Sequence, residues 1–232
     1  MIDTKPQDTH SPEDRDMSYP SYTRAERIAD GAVHVLGVGS ALVAVAFLIA
    51  ANAGQQTAGT MTAAVVYGVA MILMLSASAA YHLAAHTPFR PLLRRIDHAA
   101  IYVKIAGTIT PLAVLLGTPF AYTVLVLVWF LALSGAVRKL LAERGKMSTH
   151  WLPQVLLGWM GLIIIVPLWP SLPANSLTLI FAGGIIYSGA VVFYCWDTLK
   201  FSNAIWHACV LIATACCFVG ISGAMAKSIV PL

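Results

Sequence analysis

Near the carboxyl end, the stretch FSNAIWHACV (201–210) sets Asn203 and His207 four residues apart in an otherwise apolar run. On a helix that spacing puts both side chains on one face. The same interval separates Ser78 from His82 in SASAAYHLAAH, and it recurs twice through Glu26, Asp30 and His34. A fourth stretch, RRIDHAAIYVKIAGTITP, carries Asp97 and His98, with Lys104 seven residues beyond Asp97. Together these residue types suit hydrolysis at a metal ion. Catalytic zinc typically takes three protein ligands plus a water whose pKa falls to about 7. His82 and His207 offer two imidazole nitrogens from separate segments. Asp97 is suited to hold or deprotonate that water. Ser78, one helical turn from His82, is suited to steady a developing oxyanion or orient a substrate.

The elements that must position these groups are membrane spans. The chain has 232 residues, 59% hydrophobic and 10% charged, with a mean hydropathy of +0.78. A soluble domain is about 45–50% apolar and about 25% charged. Windows close to the ~20 residues needed to cross a bilayer recur along most of the length. Hydropathy predicts seven spans, at 33–51, 60–81, 99–116, 120–137, 151–169, 177–196 and 205–225. Sustained strand alternation is absent, which argues against a barrel. The short connections NAGQQTAG, GTP and PSLPAN read as tight turns. Small residues in SASAA and in Gly183–Gly184 allow close helix approach, and Pro111 and Pro167 are expected to bend their spans. The predicted fold is therefore all-α, a seven-helix transmembrane bundle over residues 23–232. Residues 1–22 are polar, mixed in charge and proline-bearing, and read as a flexible cytosolic tail. Cys195, Cys209, Cys216 and Cys217 all lie in or beside apolar runs without a C-x-x-C pair, so they read as apolar filler rather than as disulfides or zinc ligands.

Charge sets the orientation. Twelve of the 14 basic residues fall on one side of the predicted spans, from Lys5, Arg15, Arg24 and Arg27 through Arg90, Arg94 and Arg95 to Arg138, Lys139, Arg144, Lys146 and Lys200. Lys227 lies opposite and Lys104 within the third span. Positive charge is retained in the cytosol, which places the amino terminus inside. The net charge of +4 is then a topology signal and does not point to nucleic acid. With this orientation Ser78 and His82, Asp97 and His98, Asn203 and His207, and the Glu26–Asp30–His34 stack all come to the cytosolic ends of their spans.

Each of these residues has a plainer role available. His86, His98 and His150 suit interfacial positions, Ser78 suits helix packing, and Asp97 suits the N-cap of the third span. Glu26 and Asp30 could pair with Arg24, Arg27 or the basic loops. Ionisable groups at membrane depth are costly, however, and four helices bring them to one layer. That convergence argues for a shared site.

The chain resembles the hemolysin III family, the bacterial branch of the progestin and adipoQ receptor superfamily, to which alkaline ceramidases are distantly similar. The resemblance rests on ERIADGAVHVLGVGS (26–40), SASAAYHLAAH (76–86), RRIDHAAIYVKIAGTITP (94–111) and FYCWDTLKFSNAIWHACVL (193–211). It implies seven helices, a cytosolic amino terminus, residence in the bacterial cytoplasmic (inner) membrane and a zinc site near the cytosolic face. His82 and His207 match two of the family's three histidine ligands. Ser78 and Asp97 match the serine and aspartate beside the metal, and Glu26 and His34 match the polar pair of the first helix. Asn203 stands where the family's H-x-x-x-H pattern has its first histidine. An amide oxygen is a poor zinc donor beside imidazole. Three outcomes stay open: Asn203 binds weakly through its oxygen, Asp97 or His34 completes the coordination, or the metal is lost. A later histidine common in bacterial members of the family is replaced around Cys217, which cannot rejoin the site, because it stands ten residues beyond His207, about 15 Å along the helix.

Two functions follow as expectations. One is a zinc-dependent, ceramidase-like hydrolase with membrane lipid as its substrate, cleaving an amide or ester with Ser78 and Asp97 as catalytic residues and His82, His207 and Asn203 at the metal. The other is a non-enzymatic protein of lipid or fluidity homeostasis, or a cytolytic one, with no metal bound. A retinal protein would need a lysine in its last span, and Lys227 lies beyond it. A G-protein-coupled receptor would place its amino terminus outside. A secondary transporter finds no support in repeats or paired broken helices.

Overall fold

The structure is a computed structural model that describes residues 22–84, 86–142, 147–148, 150–196 and 198–227. The tail expected over residues 1–22 therefore lies, apart from Tyr22, outside the described residues. Eight α-helices are present among the described residues: α1 (Arg24–Asn52), α2 (Ala58–Leu83), α3 (Arg90–Leu116), α4 (Pro119–Leu140), α5 (Leu152–Trp159), α6 (Leu162–Leu168), α7 (Ala174–Tyr194) and α8 (Ser202–Lys227). No strand occurs among the described residues. α5, α6 and a 3-10 turn at Trp169–Ser171 together make one span of 20 residues. All seven predicted spans are present, each long and apolar enough to cross a bilayer.

Two boundaries differ from the hydropathy reading in a way that matters for the site. α1 and α3 begin at Arg24 and Arg90, well ahead of 33 and 99. Their opening turns are charged, which lowers hydropathy without disfavouring helix. Thr23 and Glu26 form a reciprocal capping box on α1. Pro91 occupies the first turn of α3, where a missing N–H costs nothing. The N-cap position of α3 is Phe89, so Asp97 is not the cap it resembled; it lies two turns inside the helix.

The turn between α3 and α4 follows directly from its three residues. Gly117 ends α3 with φ +64, a left-handed conformation that suits glycine; Thr118 caps α4 through the Ala121 N–H; Pro119 starts the new helix. α3 runs through Pro111 without interruption. The fifth span breaks at Met160–Gly161, ahead of Pro167.

Successive helices pack side by side, and α1 returns against α8 to close the bundle. α3 touches α2, α4, α5, α6 and α8 and is the most enclosed span. Small residues set the approach distances: a β-carbon at Gly183 of α7 would lie 2.5 Å from Cys217 Sγ on α8. The outside of the bundle is apolar, with Leu36, Val43, Phe47, Val126, Phe130, Ile185 and Val219 exposed. Asp30, His34, Asp97, Lys104 and His207 are buried within it. This inversion of a soluble protein suits a lipid solvent.

Candidate metal centre

The site is assembled by a tie between the first and last helices. Glu26 Oε2 accepts hydrogen bonds from the Thr23 N–H and hydroxyl, each at 2.8 Å. Glu26 Oε1 accepts the Phe201 N–H at 2.9 Å, although Phe201 is 175 residues away. Phe201 has φ 61, and the Glu26 contact fixes the chain there just before α8 begins. One turn further along each helix, Asp30 faces Asn203 and His207.

Asp30 is the centre of the cluster. Its Oδ1 lies 2.7 Å from His207 Nδ1 and 3.6 Å from His34 Nε2; its Oδ2 lies 3.2 Å from His82 Nδ1. The three imidazoles surround it with ring centroids 4.4–4.9 Å apart, the His34 and His82 rings stacked and the His82 and His207 rings edge to face. One ligand atom from each of Asp30, His34, His82 and His207 fits within a 4.8 Å group. The carboxylate that the sequence allowed to pair with arginines is thus engaged by three histidines.

Asn203 donates its amide N–H to Asp30 Oδ2 at 2.9 Å and lies 3.3 Å from His82 Nδ1. Its nitrogen, not its oxygen, faces the cluster, and it holds the carboxylate in place. Asp97 is buried on α3, beside the Ser78 hydroxyl and within electrostatic reach of His82 and His34. It stands outside the group of four donors. His98 lines the same cavity, whereas His86 and His150 are exposed; His86 Nε2 lies 3.3 Å from an Arg27 guanidinium nitrogen.

The donor set fits a metal ion. Three imidazole nitrogens and one carboxylate oxygen match the ligands that zinc selects. Ligand atoms held about 2.0–2.1 Å from one tetrahedral zinc lie about 3.3 Å apart. The carboxylate-to-imidazole separations are 2.7–3.6 Å to one or the other Asp30 oxygen, and the four candidate ligand atoms lie within 4.8 Å of one another, so the group would draw in around an ion. His34 Nε2 adds a second indication, because it is buried and has no hydrogen-bond partner. A buried polar atom without a partner costs stability unless something binds it.

The cluster forms part of the wall of a cavity of about 410 Å³. Tyr22, Arg27, Arg90 and Arg94 line one end of it, and Ser78, Asp97 and Asn203 line it near the histidines. Arg90 is buried and packs its guanidinium 5.5 Å from the centre of the Tyr81 ring, which in turn meets His82 edge-on at 4.7 Å. Of the residues drawn from sequence, Ser78, His82, Asp97, Asn203 and His207 therefore share one cavity. The centrality of Asp30 escaped the sequence reading. Its signal was the four-residue step to His34, which puts both on one face of α1.

Comparisons with known proteins identify the family. The sequence profile of a family described as haemolysin-III related matches residues 23–218. A hemolysin-3 homolog of Bacillus subtilis (strain 168) is 38% identical over 199 residues, covering 85% of this chain and 93% of that protein. Hemolysin-3 of Bacillus cereus is 36% identical over 194 residues, covering 83% and 89%. Bacterial relatives and seven apolar spans mark an integral membrane protein of the bacterial inner membrane type. On these matches the chain belongs to the haemolysin-III related family.

Proposed function

We propose that the chain is a zinc-dependent hydrolase of membrane lipids, cleaving an amide or ester. The reading is carried by one observation: a group of three histidines and an aspartate, of which Asp30, His82 and His207 line a cavity and His34 lies buried behind them. Bound there, zinc would supply a Lewis acid and a water of lowered pKa. Three of the four donors Asp30, His34, His82 and His207 would hold the ion and leave its fourth position to water, and Asn203 orients Asp30. Asp97 takes the proton from the attacking water and returns it to the leaving group. Ser78 donates its hydroxyl hydrogen to the carbonyl oxygen as charge develops there. The apolar outer surface suits a substrate that arrives from the bilayer. In this reading the amino terminus and the site face the cytosol, an orientation supported by the distribution of basic residues; a reporter fused to the carboxyl end tests this, and reporter activity in the cytosol would reverse it.

The experiment is product analysis by mass spectrometry, with purified protein in bilayer discs containing ceramide or phospholipid. Cleavage is expected, lost after chelation and in His207→Ala, and reduced about 10²–10⁴-fold in Asp97→Asn with zinc content unchanged. Bound zinc without cleavage of either lipid class would sink the hydrolase reading. A second reading has its own support, because both Asp30 oxygens already have protein partners. In it the cluster ties α1, α2 and α8 together in a non-enzymatic protein of lipid homeostasis or cytolysis, and the purified chain holds no metal.

A further inference from the structure

Beyond the histidines the cavity reaches a second polar group, and this one carries a lysine. Lys104 lies near the middle of α3, is 5% exposed and lines the cavity. Seven residues separate it from Asp97, and seven separate Thr214 from His207, so two helices independently set the groups about 10 Å apart. Lys104 Nζ donates to the Tyr187 hydroxyl and sits 4.0 Å from the centre of that ring. The Tyr187 hydroxyl pairs with Thr214 Oγ1, which donates to the Val210 carbonyl at 2.7 Å. The chain of donors thus runs one way, from lysine to tyrosine to threonine to backbone.

This arrangement uses one of the three ammonium hydrogens. Among the described residues no carboxylate forms an ion pair with Lys104, and those recorded at Asp30 go to histidines. A basic group at mid-bilayer depth calls for a partner of opposite charge. The cavity wall past it is apolar, built by Ile109, Leu112, Ile165 and Ile180. A single lysine matches a single negative charge, which favours a carboxylate over a phosphate. An acceptor-only head followed by an apolar chain fits both surfaces.

We propose that Lys104 and Tyr187 form a carboxylate-binding subsite for a single-chain amphiphile, with its head at Lys104 and its chain along Ile109, Leu112 and Ile165. The subsite is separate from the Asp30–histidine centre and does not depend on a metal there. Trp151, Trp159 and Trp206 also line the cavity and provide the readout.

The test is energy transfer from these tryptophans to cis-parinaric acid and to the matching alcohol, using the full chain in bilayer discs with empty discs as background. The acid is expected to bind at least about tenfold more tightly than the alcohol. Lys104→Met should abolish that preference, Lys104→Arg should keep it, and chelation or His207→Ala should leave it intact. Equal binding of acid and alcohol by the native chain would overturn the proposal. So would a preference that survives Lys104→Met, or one that disappears with His207→Ala and places the carboxylate at the histidines. Should Lys104→Met fail to fold, Lys104→Gln and the native acid-to-alcohol ratio decide the matter.

Discussion

The Asn203 amide nitrogen lies 2.9 Å from Asp30 Oδ2, the same carboxylate oxygen that faces His82. An asparagine at a position suited to a ligand here hydrogen-bonds a candidate ligand instead. Partners of this kind fix the orientation of a coordinating group, and losing one costs about 10–100-fold in metal affinity. Asn203→Ala should therefore weaken zinc binding by that factor, read by titration against a competing chelator. Unchanged affinity would reduce Asn203 to a space-filling residue.

His34 separates a metal centre from a hydrogen-bonded knot. Its Nε2 has no hydrogen-bond partner, so a purely structural cluster should lose little when the ring is kept and the nitrogen removed. His34→Phe is expected to lower zinc from about one ion per chain to near none while the apoprotein keeps its melting temperature. With zinc at about 100 times Kd, the native chain should gain about 2.7 kcal/mol over its apo form and His34→Phe nothing. Elemental analysis and thermal melts with and without chelator decide it; equal zinc in both proteins would remove His34 from the ligand set.

Glu26 is predicted to matter for folding rather than for chemistry. Its carboxylate holds the Thr23 cap and the Phe201 N–H together. Glu26→Ala loses both and should destabilise the chain. A lower melting temperature with zinc stoichiometry retained is the expected pattern. An unchanged melt would mean that the α1–α8 tie is dispensable.

The α1–α2 contact permits a clean double-mutant cycle. A β-carbon at Gly68 would meet Val45 Cγ1 at 2.6 Å, and the three nearest atoms all belong to the Val45 side chain. Gly68→Ala should cost about 1–3 kcal/mol through overpacking. Adding Val45→Ala removes the clash, so the double variant should be more stable than the two single effects sum to. Additive effects would mean that the helices separate freely there.

The bundle was legible because bilayer-length apolar runs are long and nearly free of charge. The starts of α1 and α3 were not, since Arg24, Glu26, Arg90 and Arg94 lower hydropathy while remaining helical. Ser78, His82, Asp97 and His207 could be brought to one layer from span direction alone. Asp30 could not be ranked above Glu26 by spacing, because both sit on the same face of α1. What distinguishes them is depth: Glu26 bonds Thr23 and Phe201, whereas Asp30, one turn further in, meets the rings of α2 and α8. Lys104 was visible as a charge in a span, but its pairing with Tyr187 depends on how α3 and α7 face each other.

Asp30 and His207 are separated by 177 residues, so the two halves of the centre leave the ribosome far apart in time. At about 5–20 residues per second that interval is roughly 10–35 s. Until the last helix inserts, the nascent chain holds a carboxylate and two imidazoles in the bilayer without their closing partner. Completion of the cluster thus coincides with the final insertion event, and a chain truncated before α8 would present membrane quality control with a buried acid near the start of its first helix that lacks its partners Asn203 and His207.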